Sequence, residues 1–318
     1  LKLGKLSAYI RQVLNAPMVL GLIEVENQTA LDALIARINA DDPTISYSGV
    51  ILDGNDPRGI DNAFLTRGVA VNSVTQLRLM QMTNECSSTP PCTLHDRPSL
   101  LLEGSFTRAN GQPQDFAVML SHLRSLSGID NQGNLSNALR VRRKRLEQAV
   151  AVAEESQAYQ SANPTVPFVS MGDFNAFEFT DGYSDVMGIV RGDANVADDG
   201  LPRNTMFEIQ DIYPAISGNI VDPPLSEAMF ALPVDDQYSF LFGCSFSAGC
   251  FAQALDHTLL GTAAQAVYAD FGFGRGNADA RGSDGAIAGS PLRSSDHDGS
   301  VLILNLGDEL LIDDFESP

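Results

Sequence analysis

The chain contains no apolar run that reaches the roughly 18 residues typical of a membrane-spanning helix. Basic residues are also scarce, because 20 Lys and Arg stand against 40 Asp and Glu, for a net charge of −20. This imbalance argues against a broad basic face for nucleic acid. It does not exclude a nuclease, since part of the acid can gather at metal sites. A generally acidic surface, as in an extracellular protein, explains most of the charge.

Two common catalytic motifs are missing as well. The sequence has no Gly-x-x-x-x-Gly-Lys loop for nucleotide phosphates and no Gly-x-Ser-x-Gly turn for a serine nucleophile. The cysteines look structural, so a covalent mechanism lacks an evident nucleophile. These absences favour metal-assisted hydrolysis over covalent catalysis.

The sequence also lacks internal repeats and any Pro/Gly/Ser linker long enough to separate two domains. Strand-like and helix-like segments alternate, which predicts one α/β domain over residues 1–306 with its helices outside. Segments 238–242 and 254–260 are predicted to form an antiparallel pair. Residues 307–318 are predicted to form an acidic C-terminal tail. The start has neither an initiator Met nor a signal-peptide pattern, so we expect a processed or truncated chain.

The four cysteines form two pairs with equal spacing. Cys86 and Cys92 enclose five residues, as do Cys244 and Cys250, and both enclosed segments look like loops. Two disulfides, Cys86–Cys92 and Cys244–Cys250, are the preferred interpretation and imply an oxidising compartment. The alternative is a four-cysteine zinc site, in which gaps of about two to four residues are usual. We therefore expect a secreted protein, either extracellular or periplasmic.

Polar residues able to do chemistry lie at or near the ends of five short apolar segments. Gly172-Asp173-Phe174-Asn175 follows the run 166–169, and Glu24 follows the run 18–23. The other three places are His122, Asp256 and the dipeptide Asp296-His297. An open sheet whose strand ends surround one crevice would bring such side chains together. Carboxylates and imidazoles around a hard divalent cation can hydrolyse a phosphate ester.

Each of these patterns has a simpler structural explanation when it is taken alone. Gly, Asp and Asn after a strand commonly form a turn. Glu24 could be a solvent-facing strand end, and Glu26 points to the same side and could replace it. Asp296 and His297 point in opposite directions on an extended backbone, so each needs another partner. Asp256 is the candidate partner for His297, which leaves Asp296 free for a metal.

Basic residues cluster in the longest predicted helix, residues 136–159, which carries Arg or Lys at most positions from 140 to 145. We interpret this run as a solvated helix face in preference to a nucleic-acid patch. Arg124, two residues after His122, could help to hold a phosphate. His257 follows Asp256 and is expected to face away from it in a structural role.

The ordered set of motifs resembles the endonuclease/exonuclease/phosphatase superfamily, and local stretches look like its secreted bacterial members. The motifs are Leu22-Ile23-Glu24-Val25-Glu26-Asn27, Ser121-His122-Leu123-Arg124-Ser125, Gly172-Asp173-Phe174-Asn175-Ala176, Ala254-Leu255-Asp256-His257 and Ser295-Asp296-His297. Each motif is short, but their ordered combination is specific. The resemblance implies a four-layer α/β sandwich in which two mixed sheets lie between flanking helices. It also implies a strand before the first helix, which we expect to be lacking in this chain.

The resemblance further implies a metal cofactor. Carried over by position, Glu24 and Asp296 would hold a catalytic Mg²⁺ or Mn²⁺. Asp173 would be a further ligand or would align the attacking water. A structural Ca²⁺ elsewhere is also compatible with the resemblance.

The remaining motif residues would act on the phosphate. Asn175 would hold the scissile phosphate, with Arg124 beside it. Asp256 would orient His297, which would serve as general base or as electrostatic partner of the phosphate. His122 would contact the phosphate or protonate the leaving oxygen.

Three hypotheses about function follow from the sequence. The first is a secreted metal-dependent phosphodiesterase, a nuclease with DNA or RNA as its substrate and no evident obligate protein partner. The second keeps the fold but takes a lipid or sugar phosphate, as a sphingomyelinase-like or inositol-phosphate enzyme would. No membrane-docking element is evident, which favours the first. The third is a catalytically inactive secreted binding protein of the same fold.

Overall fold

A computed structural model describes residues 1–194, 219–245 and 249–307. The side chain of Cys244 and residues 308–318 of the predicted tail lie outside the described residues, so the Cys244–Cys250 disulfide and the tail stay predictions. The other predicted disulfide, Cys86–Cys92, is present. No helix in the described ranges is long and apolar enough to pass through a bilayer.

The N-terminal part of the chain forms two helices and a small antiparallel sheet. Its elements are α1 (Lys2–Gln12), β1 (Val19–Val25), α2 (Gln28–Asp41), β2 (Ser48–Ile51) and β3 (Asp61–Thr66). The strands are ordered β1-β3-β2, and β3 is buried along its whole length. The side chain of Asn27 caps α2 by accepting a hydrogen bond from the Ala30 backbone amide.

The rest of the described chain forms a larger sheet, a long helix and several short strand pairs. Its elements are β4 (Ala70–Gln76), β5 (Met82–Thr83), β6 (Cys92–Thr93), β7 (Leu100–Thr107), β8 (Pro113–His122), α3 (Leu135–Ala162), β9 (Phe168–Asp173), α4 (Val186–Arg191), β10 (Ser226–Glu227), β11 (Phe240–Ser245), β12 (Gly249–Gln253), β13 (Asp256–Leu260), α5 (Thr262–Gln265), β14 (Tyr268–Gly274) and β15 (Gly299–Leu304). The six-stranded sheet has the order β10-β13-β9-β8-β7-β4.

The six-stranded sheet is mixed. Strands β8 and β9 pair in parallel, with α3 as the crossover between them, and the other neighbours are antiparallel. The described strands of the smaller sheet are all antiparallel. The predicted α/β class, with a mixed sheet and flanking helices, is confirmed.

One predicted strand pairing is wrong. Residues 254–260 do not pair across the second cysteine loop; β13 pairs instead with β9, and β12 is the partner of β11. The hairpin contacts are local in sequence, whereas β13 joins a strand more than 80 residues away. This long-range register places Asp256 beside Asp173 in the large sheet.

The two sheets pack face to face, and helices cover their outer sides. Phe64 of β3 lies in one apolar cluster with Leu102 of β7 and Leu120 of β8, which joins the inner faces. Residues from α1 and α2, including Ile10 and Leu31, pack against the smaller sheet in a second cluster. Helices α3 and α4 pack against β8 and β9 in a third. Apolar burial of this kind contributes about 25 cal/mol per Å² and dominates the stability of the domain.

A cavity of about 2630 Å³ runs between β1 and β15 and opens onto the ends of β8 and β9. In the described residues β1 pairs only with β3, and β15 pairs only with β14, so both strands turn an unpaired edge toward the cavity. The expectation of an absent first strand stays a prediction. The cavity wall is apolar near Leu20 and Val301, and it becomes polar at the strand ends.

Lys5 ties the N-terminal helix to a loop near the other end of the sequence. Lys5 is 2% exposed, and its ammonium nitrogen lies within hydrogen-bond distance of four backbone carbonyls, which share its three hydrogens; they are those of Asp284, Ile287, Ser290 and Leu292. Four carbonyl dipoles compensate for the desolvation of the buried charge. The loop that precedes Asp296 and His297 is therefore fixed by a residue of α1.

Candidate active site

The large sheet places three of the predicted residues side by side. In the parallel pairing of β8 with β9, His122 lies opposite Asp173, and in the antiparallel pairing of β13 with β9, Asp256 lies opposite the same residue. One row across three neighbouring strands therefore carries Asp256, Asp173 and His122 in that order, with Asp173 in the middle. The cavity opens onto this row; we call its polar end the cleft, defined by Glu24, His122, Asp173, Asp256 and His297.

Gly172 permits this close arrangement of β8 and β9. Its φ is +137°, and a Cβ atom at this position would lie 2.0 Å from the backbone oxygen of Ser121. No side chain fits such a space, and L residues rarely adopt this backbone conformation. The glycine of the Gly-Asp-Phe-Asn motif is thus required by the strand pairing that positions Asp173.

Asp256 and His297 are hydrogen-bonded. The Nδ1 atom of His297 lies 2.6 Å from Asp256 Oδ2, and the ring packs against Phe240 with centroids 4.7 Å apart. Burial disfavours the charged ring, but the hydrogen bond and charge of Asp256, followed by the charge of Asp173, raise the pKa of His297 to about 9. His297 is therefore an imidazolium at neutral pH, with Nε2 left for another partner.

Asp173 is buried beside this pair. Burial, followed by the negative charge of Asp256, raises the pKa of Asp173 to about 7. The positive His297 and the backbone amide of Asn175 oppose the increase. A carboxylate that titrates near neutral pH can accept a proton from water.

Asn175 holds Asp173 in place. Its backbone amide donates to Asp173 Oδ1 at 2.7 Å, and its side-chain Nδ2 donates to Asp173 Oδ2 at 3.0 Å and to the Leu123 carbonyl at 3.1 Å. Both side-chain hydrogens are thus used within the protein. The role predicted for Asn175, holding the scissile phosphate, requires the exchange of one of these bonds. The arrangement as it stands makes Asn175 a positioning residue for Asp173.

His122 is buried and neutral. Its Nε2 atom lies 3.6 Å from Asp173 Oδ2, and among the described residues its Nδ1 has no hydrogen-bond partner. Burial, followed by the charges of Arg97 and His297, lowers the pKa of His122 to about 3. A neutral imidazole can donate one hydrogen bond to a phosphate, but it is a poor acid at neutral pH. Of the two predicted roles, contact with the phosphate is the one that this pKa favours.

Glu24 and Asp296 are exposed and both line the cleft. Glu24 sits at an irregularity in the pairing of β1, with a φ of +58° that is unusual for a residue other than glycine. The described residues contain no group of three or more His, Cys, Asp and Glu side chains placed to hold a metal ion. Mg²⁺ commonly uses only one or two carboxylates together with water and substrate phosphates, so the oxygen donors here fit it by type. The structural Ca²⁺ that the resemblance allows stays a prediction.

Two arginines that were not among the predicted site residues lie near the row of site residues. Arg97 is buried, ion-paired with Asp56 at 3.1 Å, and bonded to the Leu123 carbonyl. Arg58 is ion-paired with the same carboxylate at 2.8 Å. Both positive charges help to lower the pKa of His122. They are separated from the other site motifs in sequence, and no local pattern marks them.

Arg124 belongs to the loop that follows β8. Its backbone amide donates to Gln148, and its carbonyl accepts from Arg145. Burial, followed by the charge of Arg140, lowers the pKa of Arg124. The charge of Arg124 is not among the main influences on the pKa of His122 or of Asp173. The predicted contact with the same phosphate as Asn175 is thus not evident from its surroundings.

The basic run of α3 is not a solvated face, contrary to expectation. Arg145 is 1% exposed and donates to the carbonyls of Arg124 and Asn175, while its second nitrogen contacts Asp181. Lys144 is also buried. The acceptors of Arg145 come from two loops, one after β8 and one after β9, which is why the helical pattern alone could not reveal the burial. Arg145 fixes the two loops that carry the predicted phosphate residues.

A buried ion pair supports the floor of the site. The ring nitrogens of His257 lie 2.7 Å from Glu227 Oε2 and 2.9 Å from the Ala176 carbonyl, which are both acceptors. Both nitrogens therefore carry protons. Burial opposes this charge, but Glu227 raises the pKa of His257. The structural role expected for His257 agrees with this geometry, whereas Glu227 was not anticipated.

Polar side chains away from the motifs hold the last two site segments. Ser239 Oγ accepts from the backbone amides of Leu255 and Asp256. Asn277 Oδ1 accepts from the amides of Ser294 and Ser295, immediately before Asp296. These contacts fix the backbone on either side of the Asp256–His297 hydrogen bond.

Comparison with known proteins identifies the family and the fold. Residues 1–211 match the Endonuclease/Exonuclease/phosphatase family. No curated protein sequence matches the chain. Among solved structures, an endonuclease/exonuclease/phosphatase from Beutenbergia cavernae has a TM-score of 0.55 at 16% identity, covering 96% of this chain and 66% of that one.

Two further structures show the same fold. TDP2 from Caenorhabditis elegans has a TM-score of 0.53 at 13% identity, and the match covers 94% of this chain but only 66% of the nematode protein. A mannosyl-6-phosphatase from Bacteroides thetaiotaomicron has a TM-score of 0.50 at 13% identity, covering 95% and 91%. At such identities these structures establish the fold alone. With the family match over residues 1–211, the chain belongs to the endonuclease/exonuclease/phosphatase family, whose members are hydrolases of phosphoric esters.

Proposed function

We propose that this protein is a secreted, divalent-metal-dependent phosphodiesterase that hydrolyses nucleic acid. The observation that carries the proposal is the row formed by His122, Asp173 and Asp256, with the charged His297 bonded to Asp256 at the mouth of one cleft. A neutral imidazole, an imidazolium and a carboxylate that titrates near pH 7 are suited to bind a phosphate and to move a proton. The disulfide Cys86–Cys92 supports secretion.

The roles follow from the charge of each group. His297 would stabilise the negative charge that develops on the phosphate, because Asp256 keeps its ring protonated. Asp173, when ionised, would accept a proton from the attacking water or orient it. His122 and Arg97 would contact the phosphate oxygens from the buried side. Glu24 and Asp296 would hold Mg²⁺ or Mn²⁺, which when bound neutralises the phosphate and activates water.

A nicking assay tests this proposal. Supercoiled plasmid and a labelled single-stranded oligonucleotide would be incubated with the protein in Mg²⁺, in Mn²⁺ and in EDTA. We expect cleavage with either metal and none with EDTA. Loss of cleavage by about 10²–10⁴-fold is expected for Asp173→Ala and His297→Ala, as for other general acid–base groups.

A matched control separates catalysis from folding. Asp115 is exposed at the start of β8, at the opposite end of that strand from His122, so Asp115→Ala should leave activity unchanged. Absence of metal-dependent cleavage by the wild-type protein would reject the nuclease proposal. Full activity in Asp173→Ala would reject the assigned chemistry.

One observation favours a second candidate, a phosphodiesterase of lipid substrates. Phe242 of β11 and Phe251 of β12 lie opposite each other and are 57% and 62% exposed. Phe240, which packs against His297, belongs to the same hairpin. An exposed aromatic pair on an element joined to the site could rest on a lipid surface. This candidate would be favoured if the wild-type protein hydrolysed sphingomyelin in vesicles and did not cleave the oligonucleotide. Phe242→Ser should then lose the hydrolysis of sphingomyelin.

A further inference from the structure

Two arginines on the α3 side of the cleft form no salt bridge with a carboxylate in the described part of the protein. Arg124 and Arg140, which we call the arginine pair, both line the cleft and are both partly buried. They lie close enough together that the charge of Arg140 lowers the pKa of Arg124. Two positive charges side by side are unfavourable unless an anion lies between them.

Three other cations that line the same cavity already have a carboxylate partner. Arg58 and Arg97 share the Asp56 carboxylate. Lys144 contacts the Asp96 carboxylate at 3.1 Å and the carbonyl of Thr93. These groups have a structural partner before any substrate arrives, and Arg58 and Arg97 face the row of site residues.

The arginine pair has no such carboxylate partner in the described ranges, and it does not face the row of site residues. Arg124 Nε is buried with no hydrogen-bond partner in the described ranges, and no ion pair of Arg124 occurs there. Arg140 donates one hydrogen bond, to the neutral Asn137 Oδ1 at 2.7 Å. The backbone of Arg124 is nevertheless held at both its amide and its carbonyl, by Gln148 and Arg145. A guanidinium on a fixed backbone, turned into a cleft without an acceptor, is organised for an external anion.

We propose that the arginine pair binds a second phosphate of the substrate, next to the one that is hydrolysed. The inference rests on the proposed function and extends it, because it selects substrates that carry at least two phosphates, such as oligonucleotides, over isolated diesters. It also explains how a chain with a net charge of −20 can attract a polyanion locally. The pair adds binding energy beside the reacting atoms and leaves the chemical step to the row of site residues.

Matched dinucleotides test the proposal. Dithymidine monophosphate carries one diester phosphate, and the same dinucleotide with a 5′- or a 3′-terminal phosphate carries a second anion on one side or the other. For the wild-type protein in Mg²⁺ we expect kcat/KM to be higher by about tenfold on one of the phosphorylated forms, chiefly through a lower KM.

Two variants and a control decide the assignment. Arg124→Gln and Arg140→Gln should each remove about tenfold of this preference while leaving hydrolysis of the unphosphorylated dinucleotide within about twofold of wild type. Arg143→Gln removes the same charge from an exposed position of α3 that does not line the cleft, and should change neither value. Arg140 is the safer site if Arg124→Gln fails to fold.

The remaining outcomes overturn the inference. An equal loss on all three dinucleotides would mean that the pair holds the scissile phosphate or supports the fold. An unchanged preference in both variants would mean that the pair does not contact substrate.

Failure of the proposed function gives a different result. If the wild-type protein cleaves none of the three dinucleotides, calorimetric titration with tripolyphosphate still tests the pair. Binding that is lost in Arg140→Gln and kept in Arg143→Gln would support the anion site, and absence of binding by the wild-type protein would reject it.

Discussion

The Asp256–His297 hydrogen bond allows one quantitative prediction. Asp256→Asn keeps the shape of the side chain but removes its negative charge. The pKa of His297 is about 9 in the folded protein against an ordinary 6.5. That difference corresponds to roughly 3 kcal/mol in favour of the charged ring. Burial acts against the charge, so the variant should bring the pKa of His297 to 6.5 or below.

The sign of the linked effects follows from proton binding. Because the folded pKa of His297 is raised, its contribution to stability is fully present below about pH 6.5 and is lost as the pH rises through about 9. If the charged ring is needed for turnover, activity falls over the same upper range, while ionisation of Asp173 near pH 7 gives the rising limb. The wild-type profile should therefore be bell-shaped, and the falling limb should move to acidic pH in Asp256→Asn.

Histidine NMR in the presence of EDTA measures the pKa directly. The chain has four histidines. Burial lowers the pKa of His95 to about 4 and that of His122 to about 3, so neither titrates near that of His297. Asp296→Asn is the matched control, since Asp296 is the weakest of the main influences on His297 and its loss should lower the pKa only slightly. A pKa of His297 that stays above 8 in Asp256→Asn would refute the reasoning.

Two further predictions concern stability, each measured by urea denaturation. Gly172→Ala should destabilise the protein by roughly 3 kcal/mol or more, because the new methyl group meets the Ser121 carbonyl. Gly272→Ala, where a Cβ would meet open space, is the control and should destabilise the protein by less than about 1 kcal/mol. Equal effects of the two substitutions would contradict the argument from close backbone approach. Glu227→Gln removes the carboxylate that pairs with the buried, charged His257 and should lower the free energy of unfolding by about 3 kcal/mol at neutral pH. An unchanged free energy of unfolding would show that the ring is not charged.

The sequence predicted the row of site residues because strand ends follow simple rules. Asp173 and His122 each end an apolar run, and parallel strands joined by one helix place such ends together. The pairing of Asp256 with His297 was also accessible, since adjacent residues on an extended chain cannot pair with each other. These inferences needed only periodicity and the directions of side chains.

Other features depend on contacts that are distant in sequence. Arg97 is held near the site by an ion pair with Asp56, which belongs to another loop. Arg145 is buried because carbonyls from two loops accept its hydrogen bonds. The backbone of Asn175 has a φ of +49°, which directs its side-chain amide toward Asp173 and the Leu123 carbonyl. The residue type alone does not specify this φ. Helical periodicity describes one face of one helix and carries no information about which loops will cover it.

The contacts of Lys5 have a consequence for the order of folding. The carbonyls that receive its ammonium group lie 279 to 287 residues later in the chain. Contacts of such separation form late, because a long stretch of chain must first be ordered between them. During synthesis these contacts of Lys5 therefore form only after Leu292 has been made, and the segment bearing Asp296 and His297 takes its final shape only when α1 meets that loop.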